Sequence, residues 1–162
     1  DGWTVSESST RQALKETVLP GRFEIRSLGE QTIILDVAHN PQKIRSLLET
    51  VRVLFPKISI ELILGLSSLD HAEAIVNIVK EYEARIFSTD IEVGDLYQRY
   101  RLADVQKLQE VIERAGILLE PPITDLKGYL QQSTHKNDKK ITVICGSFYL
   151  VSHALPILDE LC

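Results

Sequence analysis

Asp36, His39 and Asn40 crowd the end of one apolar run, Thr32-Ile33-Ile34-Leu35, and are followed at once by Pro41. A carboxylate, an imidazole and a carboxamide set this close can accept hydrogen bonds from hydroxyl groups, donate to anionic oxygens and cap a helix. The apolar run has the uninterrupted, β-branched character of a strand covered on both faces. In open α/β sheets ligands sit just beyond the carboxyl ends of such strands. Pro41 suits the first position of a following helix, because its missing N–H would have had no intrahelical partner, and the helix N-terminus stays free to face an anion. Asp36, His39 and Asn40 are therefore expected to converge on one site, with Asn40 as the cap that fixes the loop.

Two further segments carry chemistry. In Leu19-Pro20-Gly21-Arg22-Phe23-Glu24, the planar fork of Arg22 could grip phosphate oxygens bidentately; the alternative is a surface arginine at the start of a strand. In Cys145-Gly146-Ser147-Phe148-Tyr149-Leu150-Val151, Gly146 permits a tight turn between strand and helix and Ser147 can cap the helix. Ser147 lacks the Gly-x-Ser-x-Gly setting of a hydrolase nucleophile. The chain also contains neither G-x-x-x-x-G-K-[ST] nor a G-x-G-x-x-G after its first strand, so the common phosphate-binding loops are missing from it.

The elements that must position these residues follow from periodicity. A helix is expected over 9–17, capped by Ser8 or Ser9, as a lead-in from a preceding domain. Strands over 23–28 and 32–35 read as a hairpin turning at Gly29-Glu30. A helix over 42–55 follows, ended by Pro56, then a strand over 58–64 closed by Gly65. Next come a helix capped by Asp70 with Ala74, Ile75, Ile78 and Val79 inward, a strand over 85–89, and a polar irregular stretch to residue 102 holding Tyr97 and Tyr100. The pattern ends with a helix over 103–115 closed by Gly116, a short helix capped by Thr124, a solvated turn over 135–140, a strand over 141–145 and a helix over 148–160 that Pro156 would kink or shorten. Strands alternating with helices predict an α/β, Rossmann-like layered domain, mostly parallel with one antiparallel edge strand.

With 162 residues, one domain large enough for a core without staples is the simplest division: 1–18 as lead-in and 19–162 as the domain. A net charge of −5 and a pI near 5.4 argue against nucleic acid or an anionic membrane as partner. No apolar run is long enough to span a bilayer, no signal-peptide pattern opens the chain, and a cytoplasmic location is the expectation. Cys145 and Cys162 have no metal-ligand spacing and read as reduced thiols. The chain starts at Asp1 and contains no methionine, from which a fragment of a longer polypeptide is expected.

The three motif segments, in this order and at this spacing, resemble the C-terminal domain of folylpolyglutamate synthase and bifunctional dihydrofolate synthase in the Mur ligase superfamily, from Leu19 to the C-terminus. The resemblance implies an ATP-dependent ligase that joins L-glutamate to dihydropteroate or tetrahydrofolate through an acyl phosphate. The phosphate loop would lie in a larger N-terminal ATPase domain, the active site in the cleft between the domains, and this domain alone would be inactive. By the same resemblance Arg22 reaches the nucleotide phosphates, Asp36 accepts from ribose hydroxyls, His39 lies near the phosphates or the incoming glutamate, and Ser147 lies near the glutamate site, although capping explains Ser147 equally well. ATP and Mg2+ are the implied cofactors, the metal held by the nucleotide and the missing domain rather than by a site in this chain. The implied partners are the N-terminal domain, ATP, glutamate and a folate. Leu69-Asp70-His71 departs from the Asp-Lys-Asp usual in the family, which leaves open a degenerate binding module, and another substrate of the superfamily, such as a peptidoglycan precursor, is also compatible. Arg101, preceded by Tyr100, stands where the family has a Pro-Arg pair.

Overall fold

Apolar runs interrupted by turn residues pair into one sheet when each can be covered from both sides, and the order of pairing decides which loops become neighbours. The computed structural model describes residues 5–17, 19–91, 102–133 and 140–162. Among them five strands, β1 (Glu24–Leu28), β2 (Gln31–Leu35), β3 (Ser59–Leu64), β4 (Arg85–Ser88) and β5 (Lys140–Cys145), lie in the order β1-β2-β5-β3-β4. The β1–β2 pair is antiparallel, with Glu24 opposite Leu35 and Leu28 opposite Gln31, and Gly29 supplies a φ of +61° to the turn. All other pairs are parallel. The last strand in the chain takes the centre, and Ile141, Val143, Ile144 and Cys145 are buried accordingly.

Among the described residues six helices, α1 (Glu7–Glu16), α2 (Pro41–Leu54), α3 (Ala72–Glu81), α4 (Val105–Arg114), α5 (Leu126–Ser133) and α6 (Phe148–Leu161), accompany the sheet. The apolar stripes of α2, α3 and α4 pack on one face, against Ile34, Leu62, Leu64 and Val143. On the other face α5 and α6 cover Ile33, Leu35, Ile63 and Ile144. Neighbouring strands β2 and β5 thus send the chain to opposite faces, β2 into α2 and β5 into α6. Their carboxyl ends form the topological switch point of the sheet, where a crevice opens.

Several local expectations shift by a few residues. Ser6, not Ser8 or Ser9, caps α1: its Oγ accepts the Ser9 N–H at 3.1 Å, while the hydroxyls of Ser8 and Ser9 bond to that same Oγ. Helix α3 starts one turn-residue later than read, so His71 takes the cap position without a side-chain bond and Asp70 does not cap. With that start the buried stripe is Ala72, Ile75, Val76, Ile78 and Val79, and Ala74 faces outward. Asp125 replaces Thr124 as the acceptor at the start of α5, taking the Gly128 N–H at 2.9 Å. Thr89 falls outside β4 and makes an isolated bridge to Ile123. Pro156 lies on the exposed side of α6, and the helix runs through it to Leu161. Tyr97, Tyr100 and Arg101 and most of the turn expected over 135–140 lie outside the described residues.

The amino edge of the sheet is closed by charge. Buried Glu61 in β3 accepts from Lys140 Nζ at 2.6 Å, Arg85 Nη1 at 3.1 Å and the Tyr129 hydroxyl at 3.1 Å. Burial, and then the Glu61 carboxylate, push the Tyr129 phenol well above its ordinary range. Two cations facing one carboxylate satisfy a charge that would otherwise be costly in the interior.

The carboxyl edge is closed by backbone. Gly146 has φ +107°, and a Cβ there would lie 2.8 Å from the Gly65 carbonyl oxygen. Both the dihedral and the approach exclude a side chain. Gly146→Ala is expected to destabilise the domain by roughly 2–4 kcal/mol, read as a fall in the urea midpoint at unchanged slope.

Candidate functional site

Strand β2 continues its pairing for one residue, Asp36 N–H donating to the Ile144 carbonyl at 3.1 Å, and then leaves the sheet. The Asp36 carboxylate turns back on two backbone donors: Oδ1 accepts the Ala38 N–H at 2.7 Å and Oδ2 accepts the Phe23 N–H at 2.8 Å. The first bond is a local Asx turn, readable from an aspartate at a strand end. The second spans thirteen residues and fastens the turn at residues 21–23 to the loop after β2. Val37 N–H donating to the Gly21 carbonyl at 3.0 Å adds a third tie. Asp36 is thus a clamp between two motif segments, a role that sequence reasoning missed. Each carboxylate oxygen keeps a second lone pair, so acceptance from a ligand hydroxyl remains open.

That turn is built around an exposed Arg22. Gly21 takes φ +66°, and a Cβ on it would meet Val151 Cγ1 at 2.6 Å; Phe23 takes φ +44°, which a bulky residue rarely does. Arg22 and Asp36 line one open groove of about 470 Å³ together with Gln42, Lys43, Ser46 and Thr50 of α2. The guanidinium of Arg22 and the ammonium of Lys43 in its lining favour an anion, and the carboxylate of Asp36 favours hydroxyls.

His39 is exposed, with Nδ1 at 2.8 Å from the Val37 carbonyl. A carbonyl can only accept, so Nδ1 carries the proton and Nε2 is the free position, an acceptor in the neutral ring and a donor in the imidazolium. Asn40 caps α2 as expected, accepting the Lys43 N–H at 2.9 Å, and Pro41 opens the helix. Ser147 caps α6, its Oγ accepting the Leu150 N–H at 3.1 Å, and at 2 % exposure it is buried under the loops. The loops after β2, β5 and β3 are stitched together by Gly146 N–H to Ala38 carbonyl at 2.8 Å and Gly65 N–H to Cys145 carbonyl at 3.1 Å. Burial, with the neighbouring Asp36 charge adding to it, pushes the Cys145 thiol far above its usual range, which leaves it inert as a nucleophile.

The departing segment Leu69-Asp70-His71 follows β3. Leu69 and Asp70 line a separate cavity of about 390 Å³ with Glu73, Lys107, Glu110 and Arg114, on α3 and α4, and not the groove of Arg22. Among the described residues no group of three His, Cys, Asp or Glu side chains could hold a metal ion, and no helix is long and apolar enough to cross a membrane.

Removing the clamp strands two backbone donors in a half-buried site. Asp36→Ala is expected to destabilise the domain by roughly 1–3 kcal/mol, and Asp36→Asn by less because its amide oxygen still serves one donor; urea unfolding of both variants measures the difference.

The family model described as the Mur ligase, glutamate ligase domain matches residues 21–148. Among solved structures, a bifunctional folylpolyglutamate synthase/dihydrofolate synthase from Yersinia pestis is similar to this chain at 26% identity with a TM-score of 0.73, over 97% of this chain and 35% of that one. A second structure of such a bifunctional enzyme, with Mn, AMPPNP and L-glutamate bound, matches at 26% identity and TM-score 0.74, over 97% and 36% of the two chains. Folylpolyglutamate synthase from Thermotoga maritima, at 24% identity and TM-score 0.73 over 97% and 34%, shares the fold. The chain spans about a third of the length of these solved structures. Among curated sequences no relative matches it. With the motif loops gathered at one switch point and the family model matching most of its length, the chain belongs to the Mur ligase family as its glutamate ligase domain.

Proposed function

We propose that this chain is the C-terminal third of an ATP-dependent ligase that attaches L-glutamate to dihydropteroate or tetrahydrofolate, and that its carboxyl-edge loops complete a site begun by an N-terminal ATPase domain. The observation that carries the reading is the Arg22 turn, clamped by Asp36 onto the loop after β2 and opening on an anion-favouring groove. The similar structure with Mn, AMPPNP and L-glutamate bound supports this choice of ligands.

In such a reaction a substrate carboxylate attacks the γ-phosphorus of ATP, ADP leaves, and the amine of glutamate then displaces phosphate from the acyl phosphate to give the amide. Negative charge grows on phosphoryl and carbonyl oxygens, so fixed cations and donors must meet them from a second side. Arg22 fits the phosphates, the spare lone pairs of Asp36 fit ribose hydroxyls, and the free Nε2 of His39 fits a phosphate or the glutamate carboxylate once protonated. Ser147 would act near glutamate chiefly by fixing the start of α6. Asn40, Pro41 and Gly146 hold the loops. Bound Mg2+ would neutralise the phosphates, held by the nucleotide and the N-terminal domain, since the described residues offer no ligand cluster. A cytoplasmic setting accords with reduced thiols at Cys145 and Cys162.

A second reading, a ligase-like domain kept only for binding, draws on Asp70, an anion where the family has a lysine. Its position in a cavity apart from Arg22 weakens that inference. The test is ATP-dependent glutamate addition by the two-domain protein, with dihydropteroate and tetrahydrofolate as acceptors and product mass as readout. Product is expected from at least one acceptor, none from this chain alone, and a loss on the order of 10²–10³-fold in Arg22→Ala. A folded, nucleotide-binding protein that yields no product would overturn the folate reading and favour the binding module or another substrate.

A further inference from the structure

Each backbone N–H of the turn that carries Arg22 has a partner: Gly21 donates to Glu24 Oε2 at 2.9 Å, Arg22 to the Leu19 carbonyl at 3.1 Å, and Phe23 to Asp36 Oδ2 at 2.8 Å. Two of the three partners are carboxylates, one on each side of the arginine. The turn needs them. Gly21 and Phe23 both occupy the left-handed region, and a strained backbone of this kind persists only where its surroundings over-determine it.

Glu24 is unlike Asp36 in one respect. Its side chain, at 9% exposure, is withdrawn from solvent and does not line the groove. Its second oxygen accepts Arg26 Nε at 2.7 Å, and Arg26 reaches on to Asp159 in α6 at 3.1 Å. A carboxylate this covered, with both oxygens engaged, is held in place from behind and spends one oxygen on the amide just before Arg22. Charge-assisted bonds of this type are the strong, directional ones.

We propose that Glu24 is a positioning residue: by closing the turn at the Gly21 N–H it fixes where the Arg22 guanidinium stands in the groove, and it acts through Arg22 without touching substrate. The inference rests on the reading above that Arg22 contacts nucleotide phosphates. It predicts coupling between two residues whose side chains do different things.

The experiment is a double-mutant cycle on the two-domain protein, read as the Kd for AMPPNP by calorimetry, so that the outcome does not depend on the identity of the acceptor. Glu24→Ala is expected to weaken binding about tenfold, the size of one misdirected charge-assisted hydrogen bond. In an Arg22→Ala background the same change is expected to cost less than about twofold, since the group it positions is gone. An equal loss in both backgrounds, or no loss from Glu24→Ala where Arg22→Ala is impaired, overturns the role of Glu24 and leaves the phosphate reading intact. A neutral Arg22→Ala overturns the phosphate reading and the role of Glu24 with it. If the alanine variant does not fold, Glu24→Gln, which keeps the volume but offers one acceptor to two donors, carries the same cycle with the same pattern expected and the same patterns contradicting it.

Discussion

The Asp36 carboxylate is the constraint on which the carboxyl edge depends. It is placed by β2 pairing with β5, since its own N–H extends that ladder to the Ile144 carbonyl. Its two oxygens then fix the Ala38 amide beside it and the Phe23 amide across the hairpin. Without it the sheet would still form from its apolar runs, but the turn bearing Arg22 would keep only the Val37–Gly21 backbone bond to the loop bearing His39 and Asn40. One charged group thus joins two of the motif segments, and the Gly146 N–H bonded to the Ala38 carbonyl brings in the third. Charge-assisted bonds to backbone donors are suited to this because they combine strength with direction.

The two ends of the sheet solve the polar problem of strand termini differently. At the amino ends, long side chains do it: Lys140, Arg85 and Tyr129 surround Glu61, which is buried among them. At the carboxyl ends backbone does it, through Gly146 and Gly65, whose missing side chains let adjacent loops touch. Loops joined by main-chain bonds leave Arg22, Lys43 and His39 free to face outward. This division, a satisfied edge and an available edge, is what the switch-point rule means physically in this fold.

Much of this was legible in the sequence where the cause is local. The hairpin at Gly29-Glu30, the Asn40-Pro41 helix start, the Gly146-Ser147 turn and cap, and the mostly parallel layered architecture follow from short-range pattern, and the folate-ligase motifs in order pointed to the family. Helix starts slipped where several side chains able to cap stand side by side, as at Ser6, Ser8 and Ser9 or at Thr124 and Asp125, because residue type does not choose among them. The Asp36–Phe23 bond and the Glu61 network were not legible, since they join residues whose proximity is created by strand pairing. Nor could spacing tell that Asp70 and Arg22 would line different cavities.

If the loops around Asp36 form one wall of a nucleotide site, hydrogen exchange on the two-domain protein with and without AMPPNP reads it at those loops. Slowed exchange is expected at the amides of residues 21–24, 36–40, 42 and 43, and unchanged exchange around Glu61 and Lys140. Saturating nucleotide that leaves those loop amides unprotected would contradict this placement of the site.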